Sequence, residues 1–143
     1  MLRVVLDTNV IVSGTIQNAG NPFRILEGWR KGHFILIASY ALIDEARRVL
    51  HYPRVKKKYH ITEKQIRGVI KNLRNYSVIT PGKLKLRVIE RDPNDDEVLI
   101  AALEGEADYI VSGDSDLKEL KSYRGIRIVS PAEFVKLLGR GLD

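Results

Sequence analysis

Short apolar runs alternate along this chain with longer segments in which apolar residues recur every three or four positions. The short runs are rich in β-branched residues and predict strands at 3–6, 34–38, 77–80, 109–112 and 126–129. The longer segments predict helices, capping residues included, at 22–31, 39–50, 62–75, 95–104, 117–121 and from 130 onwards. The stretch between the first strand and the first of these helices contains glycine and asparagine and is predicted to be a loop.

This order of elements decides the expected fold class. Strands separated by helices are typical of βαβ units, whose right-handed crossovers build a mainly parallel sheet. We therefore expect an α/β protein. The 143 residues, 44% of them hydrophobic, are enough for one compact core, and no internal repeat or linker interrupts them. A single domain over residues 1–143 is the prediction.

Acidic residues follow two of the predicted strands and open one of the predicted helices. Asp7 follows the first strand directly, and Asp114 and Asp116 follow the 109–112 strand. Asp95 and Asp96 open the helix that leads into the latter strand. Ligands of open α/β sheets bind beyond the carboxyl ends of the strands. We therefore expect these three acidic groups to meet at one edge of the sheet.

Clustered carboxylates limit the chemistry of such a site. Removing a carboxylate from water costs several kcal/mol unless a partner compensates, and a divalent cation is such a partner. The chain has no cysteine, and its three histidines lie outside the acidic groups, which excludes thiolate chemistry and favours Mg²⁺ or Mn²⁺ over Zn²⁺. Such a metal can hold a phosphodiester and activate a water, so no protein nucleophile is required.

Charge is distributed unevenly around the modest net value of +6. Residues 47–91 hold fourteen lysines and arginines against two acids, whereas residues 92–119 hold ten acids against one lysine. One interpretation is two solvated faces of opposite sign. The other is a basic surface that binds a polyanion beside an acidic site that binds cations, a combination that a nuclease needs. No signal-peptide core or membrane-length apolar run is present, so we expect a cytoplasmic protein.

Three sequence blocks stand out: VVLDTNVIVSG with its Asp-Thr-Asn motif, SYALIDEARRVL with an internal glutamate, and DPNDDEVLIAALEGEADYIVSGDSDL with its acids at both ends. These blocks resemble those of the PIN domain family, in particular the small stand-alone members that include VapC-type toxins. The first is similar to the family's first strand, the second to its glutamate-bearing helix and the third to its C-terminal signature. They occur in the family's order and spacing, and the resemblance implies a three-layer α/β/α fold.

The resemblance also implies which residues form the active site. The metal ligands, which are also the catalytic residues, would be Asp7, Glu45, Asp96 and Asp114. Asn9 and Ser112 would orient them, whereas Asp116 either binds a second metal or only orders the site. Together these residues would hold Mg²⁺ or Mn²⁺ for the hydrolysis of RNA.

The ligand near the start of the 95–104 helix is chosen among three neighbouring acids. Asp96 is preferred because its eighteen-residue separation from Asp114 matches the pattern of the family. Asp92 and Asp95 stay open as alternatives.

RNA binding is assigned to a cluster in the basic stretch. Arg54, Lys56, Lys57 and Lys58 are placed to neutralise phosphates. Two tyrosines, Tyr52 and Tyr59, flank this cluster. They are either ordinary surface residues or platforms on which unpaired bases stack.

These observations lead to two functional hypotheses. The first is a metal-dependent endoribonuclease, with the toxin role of VapC-type relatives, an antitoxin protein as partner and a homodimeric state implied by the resemblance. The alternative is a non-catalytic RNA-binding module whose acidic cluster is structural.

Overall fold

The computed structural model describes residues 1–86 and 93–140. Within these stretches six strands form one sheet: β1 (Arg3–Leu6), β2 (Ile35–Ser39), β3 (Val78–Thr80), β4 (Tyr109–Val111), β5 (Ser122–Tyr123) and β6 (Ile126–Val129). The helices of the same stretches are α1 (Thr8–Ile16), α2 (Asn21–Arg30), α3 (Tyr40–Leu50), α4 (Pro53–Tyr59), α5 (Glu63–Tyr76), α6 (Pro93–Glu104), α7 (Ser115–Leu120) and α8 (Pro131–Gly139).

The strand order of the sheet is β3-β2-β1-β4-β6-β5. All neighbouring pairs are parallel except β5 with β6, as expected for a mainly parallel sheet. The chain moves outward from β1 to β2 and β3 and then returns to the other side of β1 with β4. The switch point of the sheet therefore lies between β1 and β4, where ligands of open α/β sheets bind. Because Leu6 is paired with Val111, the residues that follow both strands emerge side by side.

Hydrophobic residues on the two faces of the sheet form separate core clusters. Val4 and Leu6 belong to a cluster with α1, α2, α3, α5 and α8, whereas Val5 points to a second cluster with α6 and α7. This alternation along a single strand is the period of two that β structure requires. The result confirms the three-layer α/β/α arrangement. No helix in the described part of the chain is both long and apolar enough to cross a membrane.

Local capping signals set several helix boundaries as the sequence predicted. Thr62 and Gln65 form a reciprocal capping box at the start of α5, with the Thr62 N–H donating to Gln65 Oε1 at 2.9 Å. Ser130 and Glu133 do the same for α8. Pro53 begins α4, in the first turn of a helix, where proline is well tolerated.

The loop expected between the first strand and the first helix is instead the helix α1. Its nine residues are apolar on several sides, and a polar face that would reveal a helical period is missing because α1 packs against both α2 and α3. Gly14 is required for this packing: a Cβ there would lie 2.7 Å from the Leu26 side chain and from the Pro22 carbonyl oxygen. The strand β5 and the helix α4 were likewise absent from the prediction.

Candidate metal centre

Asp7 and Ser112 lie side by side at the switch point. The backbone N–H of Asp7 donates to the Val111 carbonyl at 2.9 Å and so extends the β1–β4 ladder by one residue. The Ser112 hydroxyl donates to Asp7 Oδ2 at 2.7 Å and accepts the backbone N–H of Asp114 at 2.9 Å. One fully buried serine therefore connects the acid after β1 to the residue that caps α7.

The surroundings of Asp7 disfavour its negative charge. The residue is 6% exposed, and this burial raises the pKa of its carboxyl above the usual range. The hydrogen bond from Ser112 and the backbone N–H of Asn9 act in the opposite direction, whereas the nearby charge of Asp114 raises the pKa further. The ionised form of Asp7 thus lacks full compensation from the protein, and a cation would supply it.

Three further acids come together beside this pair. Asp95 lies in the first turn of α6, Asp114 caps α7 by accepting the Leu117 N–H at 3.1 Å, and Asp116 lies in the first turn of α7. One carboxylate oxygen from each of these acids lies within 4.8 Å of the other two. Oxygens on opposite sides of a bound Mg²⁺ are about 4.2 Å apart, since each Mg–O bond is about 2.1 Å. A small inward movement would therefore fit the donor set to such an ion.

Thr8, which the sequence did not single out, gives a second indication of a ligand at this edge. The residue follows Asp7, is 5% exposed, and its Oγ1 has no hydrogen-bond partner within residues 1–86 and 93–140. A buried hydroxyl without a partner is costly, and the hydration shell of a bound ion would satisfy it. The only signal in the sequence was its position in the Asp-Thr-Asn motif.

The predicted acids fall into different places around this centre. Among the described residues, the group of mutually close carboxylates contains Asp95, the alternative left open, and not Asp96. Asp96 is also buried in the first turn of α6, at 7% exposure, and its assignment as a ligand stays a prediction. Asp92 lies outside the described residues.

Two further residues predicted for the site are Glu45 and Asn9. Glu45 lies on α3 with its side chain 15% exposed and forms an ion pair with Arg48 one turn later. Asn9 is exposed on the first turn of α1 and contacts Asp7 through its backbone N–H. The structure therefore brings together Asp7, Ser112 and the group of Asp95, Asp114 and Asp116, and the roles of the Glu45 and Asn9 side chains stay predictions.

The predicted RNA-binding cluster lies on α4, which has no buried residue. Arg54, Lys57 and Lys58 are exposed. Lys56 instead donates from Nζ to Glu63 at 2.7 Å, and His51 Nε2 lies 2.9 Å from the same carboxylate. Lys56 and His51 together lower the pKa of Glu63 to about 2. One of the four predicted cations is thus engaged within the protein.

Comparison with known proteins agrees with this geometry. A family model described as PIN domain matches residues 3–116. The chain is also similar to an uncharacterized protein of Methanocaldococcus jannaschii, at 27% identity over an alignment that covers 94% of this chain and 90% of that protein. Because the family match includes the strands and helices that carry the acidic centre, the chain belongs to the PIN domain family, whose members are typically metal-dependent nucleases.

Proposed function

We propose that this protein is an endoribonuclease that uses Mg²⁺ or Mn²⁺ to hydrolyse phosphodiester bonds of RNA. The observation that carries the proposal is the convergence of Asp95, Asp114 and Asp116 beside the buried Asp7 at the switch point of the sheet. Membership in the PIN domain family supports nuclease chemistry, and the activity of PIN nucleases on RNA supports the choice of substrate.

The residues that would hold the metal are the three clustered acids and Asp7. A bound divalent ion would polarise the scissile phosphate and lower the pKa of the attacking water. Ser112 donates to Asp7 Oδ2 and the Leu117 N–H donates to Asp114 Oδ2, so both carboxylates are held in place before a ligand binds. Fixing the ligands beforehand is the contribution that residues around a metal site make to its affinity and activity.

The exposed cations of α4 would bind the RNA backbone. Arg54, Lys57 and Lys58 are exposed on a helix that carries four basic residues and no acid. Each phosphate that they neutralise contributes about −0.7 to the slope of log K against log salt for a single strand. Because phosphate contacts carry no sequence information, these residues would give affinity and leave specificity to other parts of the surface.

The test is cleavage of an end-labelled RNA by purified protein that has first been stripped with EDTA. We expect products to form when Mn²⁺ or Mg²⁺ is added and not in EDTA, and we expect Asp7→Asn to abolish them. Cleavage that persists in EDTA or in Asp7→Asn would contradict the proposal. The alternative, a non-catalytic module, predicts salt-sensitive RNA binding without products under any metal.

The toxin role, an antitoxin partner and the homodimer rest on the resemblance to VapC-type proteins alone. A toxin would arrest growth when the wild-type chain is expressed, and Asp7→Asn would not. If the wild-type chain and Asp7→Asn slowed growth equally, the cause would be their expression and not ribonuclease action.

A further inference from the structure

A polar cleft lies where the end of α1 meets the junction of α4 and α5. Its volume is about 520 Å³, and its lining includes one tyrosine and three amide side chains: Tyr59, Gln17, Asn18 and Gln65. Ile61, which is 7% exposed, contributes an apolar surface. A flat ring, an apolar contact and several amides form a surface that suits a planar polar molecule.

The amide groups of this cleft offer both donors and acceptors. Asparagine and glutamine present a carbonyl oxygen and an NH₂ group side by side, which is the combination that pairs with the edges of nucleobases. Gln65 is already oriented, because its Oε1 accepts the Thr62 N–H at 2.9 Å in the capping box of α5. Its NH₂ group then remains as the hydrogen-bond donor of this side chain.

The tyrosine of the cleft is placed for stacking. Tyr59 is 36% exposed at the end of α4, and Lys58 Nζ lies 5.3 Å from the centre of its ring. A base that replaces this ammonium on the ring face would keep its own phosphate within reach of the Lys58 side chain. Arg54 and Lys57 continue the positive charge along the same helix.

The helix α1 sets the distance between this cleft and the metal centre. It starts directly after Asp7, and Gln17 caps its other end. At a rise of 1.5 Å per residue, its nine residues span roughly 14 Å. A strand with one phosphate at the acidic centre can therefore place a nearby base in the cleft.

We propose that this cleft is a nucleobase subsite that binds one unpaired base of the RNA and so selects single-stranded substrate. Tyr59 stacks on the base, and Gln17, Asn18 and Gln65 hydrogen-bond to its edge. A base within a duplex is already stacked and paired, so it cannot enter. The proposal rests on the proposed function for its ligand, RNA, but not on catalysis.

The experiment measures RNA binding in EDTA, where no cleavage occurs, with a fluorescein-labelled single strand and the duplex of the same sequence. We expect Tyr59→Leu to weaken single-strand binding on the order of tenfold. Tyr59→Phe keeps the ring and should bind as the wild type does. Tyr76→Leu is the matched control, because Tyr76 is an exposed tyrosine, 72% accessible, that ends α5 outside the cleft.

Three further readouts separate stacking from a loss of folding. A single strand with 2-aminopurine at successive positions should be quenched at one position by the wild type and by Tyr59→Phe, but not by Tyr59→Leu. In cleavage assays, Tyr59→Leu should raise KM and leave kcat unchanged, since Tyr59 does not touch the metal centre. The Tm of each variant confirms its fold.

The proposal is overturned if the wild type does not bind the single strand, if Tyr59→Leu binds as tightly as Tyr76→Leu, or if Tyr59→Phe binds as weakly as Tyr59→Leu. Duplex RNA that binds as tightly as the single strand also overturns it. If Tyr59→Leu has an unchanged KM while metal-dependent cleavage is intact, the subsite proposal is wrong and the nuclease proposal stands. A position-specific quench without cleavage under any metal removes the nuclease and leaves the subsite.

Discussion

Asp7 and Glu63 are both carboxylates that accept hydrogen bonds from side chains, yet their pKa values are shifted in opposite directions. Asp7 is buried at the switch point, and desolvation raises its pKa despite the hydrogen bond from Ser112. Glu63 is exposed on α5, and the Lys56 ammonium and the His51 imidazole lower its pKa to about 2. The difference lies in burial and in the partners: Asp7 is desolvated beside a neutral hydroxyl and a like charge, whereas the exposed Glu63 accepts from an ammonium and an imidazole.

The charge of Glu63 stabilises the fold, whereas the charge of Asp7 costs stability. Glu63 links α5 to Lys56 on α4 and to His51 at the end of α3, so its charge contributes to holding three helices together. Burial makes the ionised form of Asp7 costly to stability, and a divalent cation would remove that cost. Perturbed, uncompensated acids are characteristic of functional sites.

The largest expected effect is on catalysis. We expect Asp7→Asn to reduce RNA cleavage by at least about a hundredfold, because even residues that only support metal ligands contribute 10- to 100-fold. Glu63→Gln removes the other carboxylate of the comparison and should leave kcat unchanged. Single-turnover cleavage in Mn²⁺ measures the rate of both variants. An equal loss of rate in the two would show that Asp7 has no special role in cleavage.

The next effect concerns metal binding and separates Asp95 from Asp96. A ligand at a hundred times its Kd stabilises a protein by about 2.7 kcal/mol, so Mn²⁺ should raise the Tm of the wild type. We expect Asp95→Asn to lose most of this increase and Asp96→Asn to lose less, since Asp95 belongs to the close group of carboxylates. Thermal unfolding with and without Mn²⁺ measures the difference. The reverse order would establish Asp96 as the ligand, as the sequence pattern predicts.

A smaller effect of opposite sign is expected on stability without metal. The folded-state pKa of Asp7 lies above its unfolded value, so ionisation of Asp7 destabilises the fold above that unfolded pKa. Asp7→Asn should therefore stabilise the metal-free protein at neutral pH by about 1 kcal/mol, a typical gain when an active-site strain is removed. The gain should shrink as the pH falls and vanish below the unfolded pKa. Urea denaturation in EDTA at several pH values tests this, and a gain that grows toward low pH would contradict it.

The smallest effect is expected for Glu63→Gln. The folded-state pKa of Glu63 is lowered, so its contribution is present above 4.5 and is lost as the pH falls towards about 2. The group is exposed, and salt screens such pairs. We expect a slight fall in the urea midpoint at pH 7 in low salt and none in high salt or at pH 2. A fall that is insensitive to salt would show that Glu63 acts through packing.

Local signals in the sequence were sufficient for most elements of the fold. Capping boxes act within four residues, so Thr62 and Ser130 fixed the starts of α5 and α8 before any tertiary contact was known. The helix α1 was missed because its apolar residues contact neighbours on more than one side. The need for a glycine at position 14 depends on the close approach of Leu26, which only the tertiary structure shows. The helix α4 was also missed, although Pro53 is suited to the first turn of a helix.

The candidate site also combines features that the sequence predicts with features that only the tertiary structure shows. Asp7 and Asp114 follow strands, and parallel strands end at one edge, so the sequence determined that these acids would meet there. Whether Asp95 or Asp96 joins them was decided by the tertiary structure, because adjacent residues of a helix point about 100° apart and only the docking of α6 selects one direction. The engagement of Lys56 by Glu63 was decided in the same way, since it depends on how α4 packs beside α5.

The sequence by itself thus determined the fold class, the order of most elements and the two strand-end acids, because periodicity, caps and strand ends are local properties of the chain. The tertiary structure decided α1, the grouping of Asp95 with Asp114 and Asp116, the Ser112 link between Asp7 and Asp114, and the opposite pKa shifts of Asp7 and Glu63. Each of these depends on distances and burial between residues far apart in the chain.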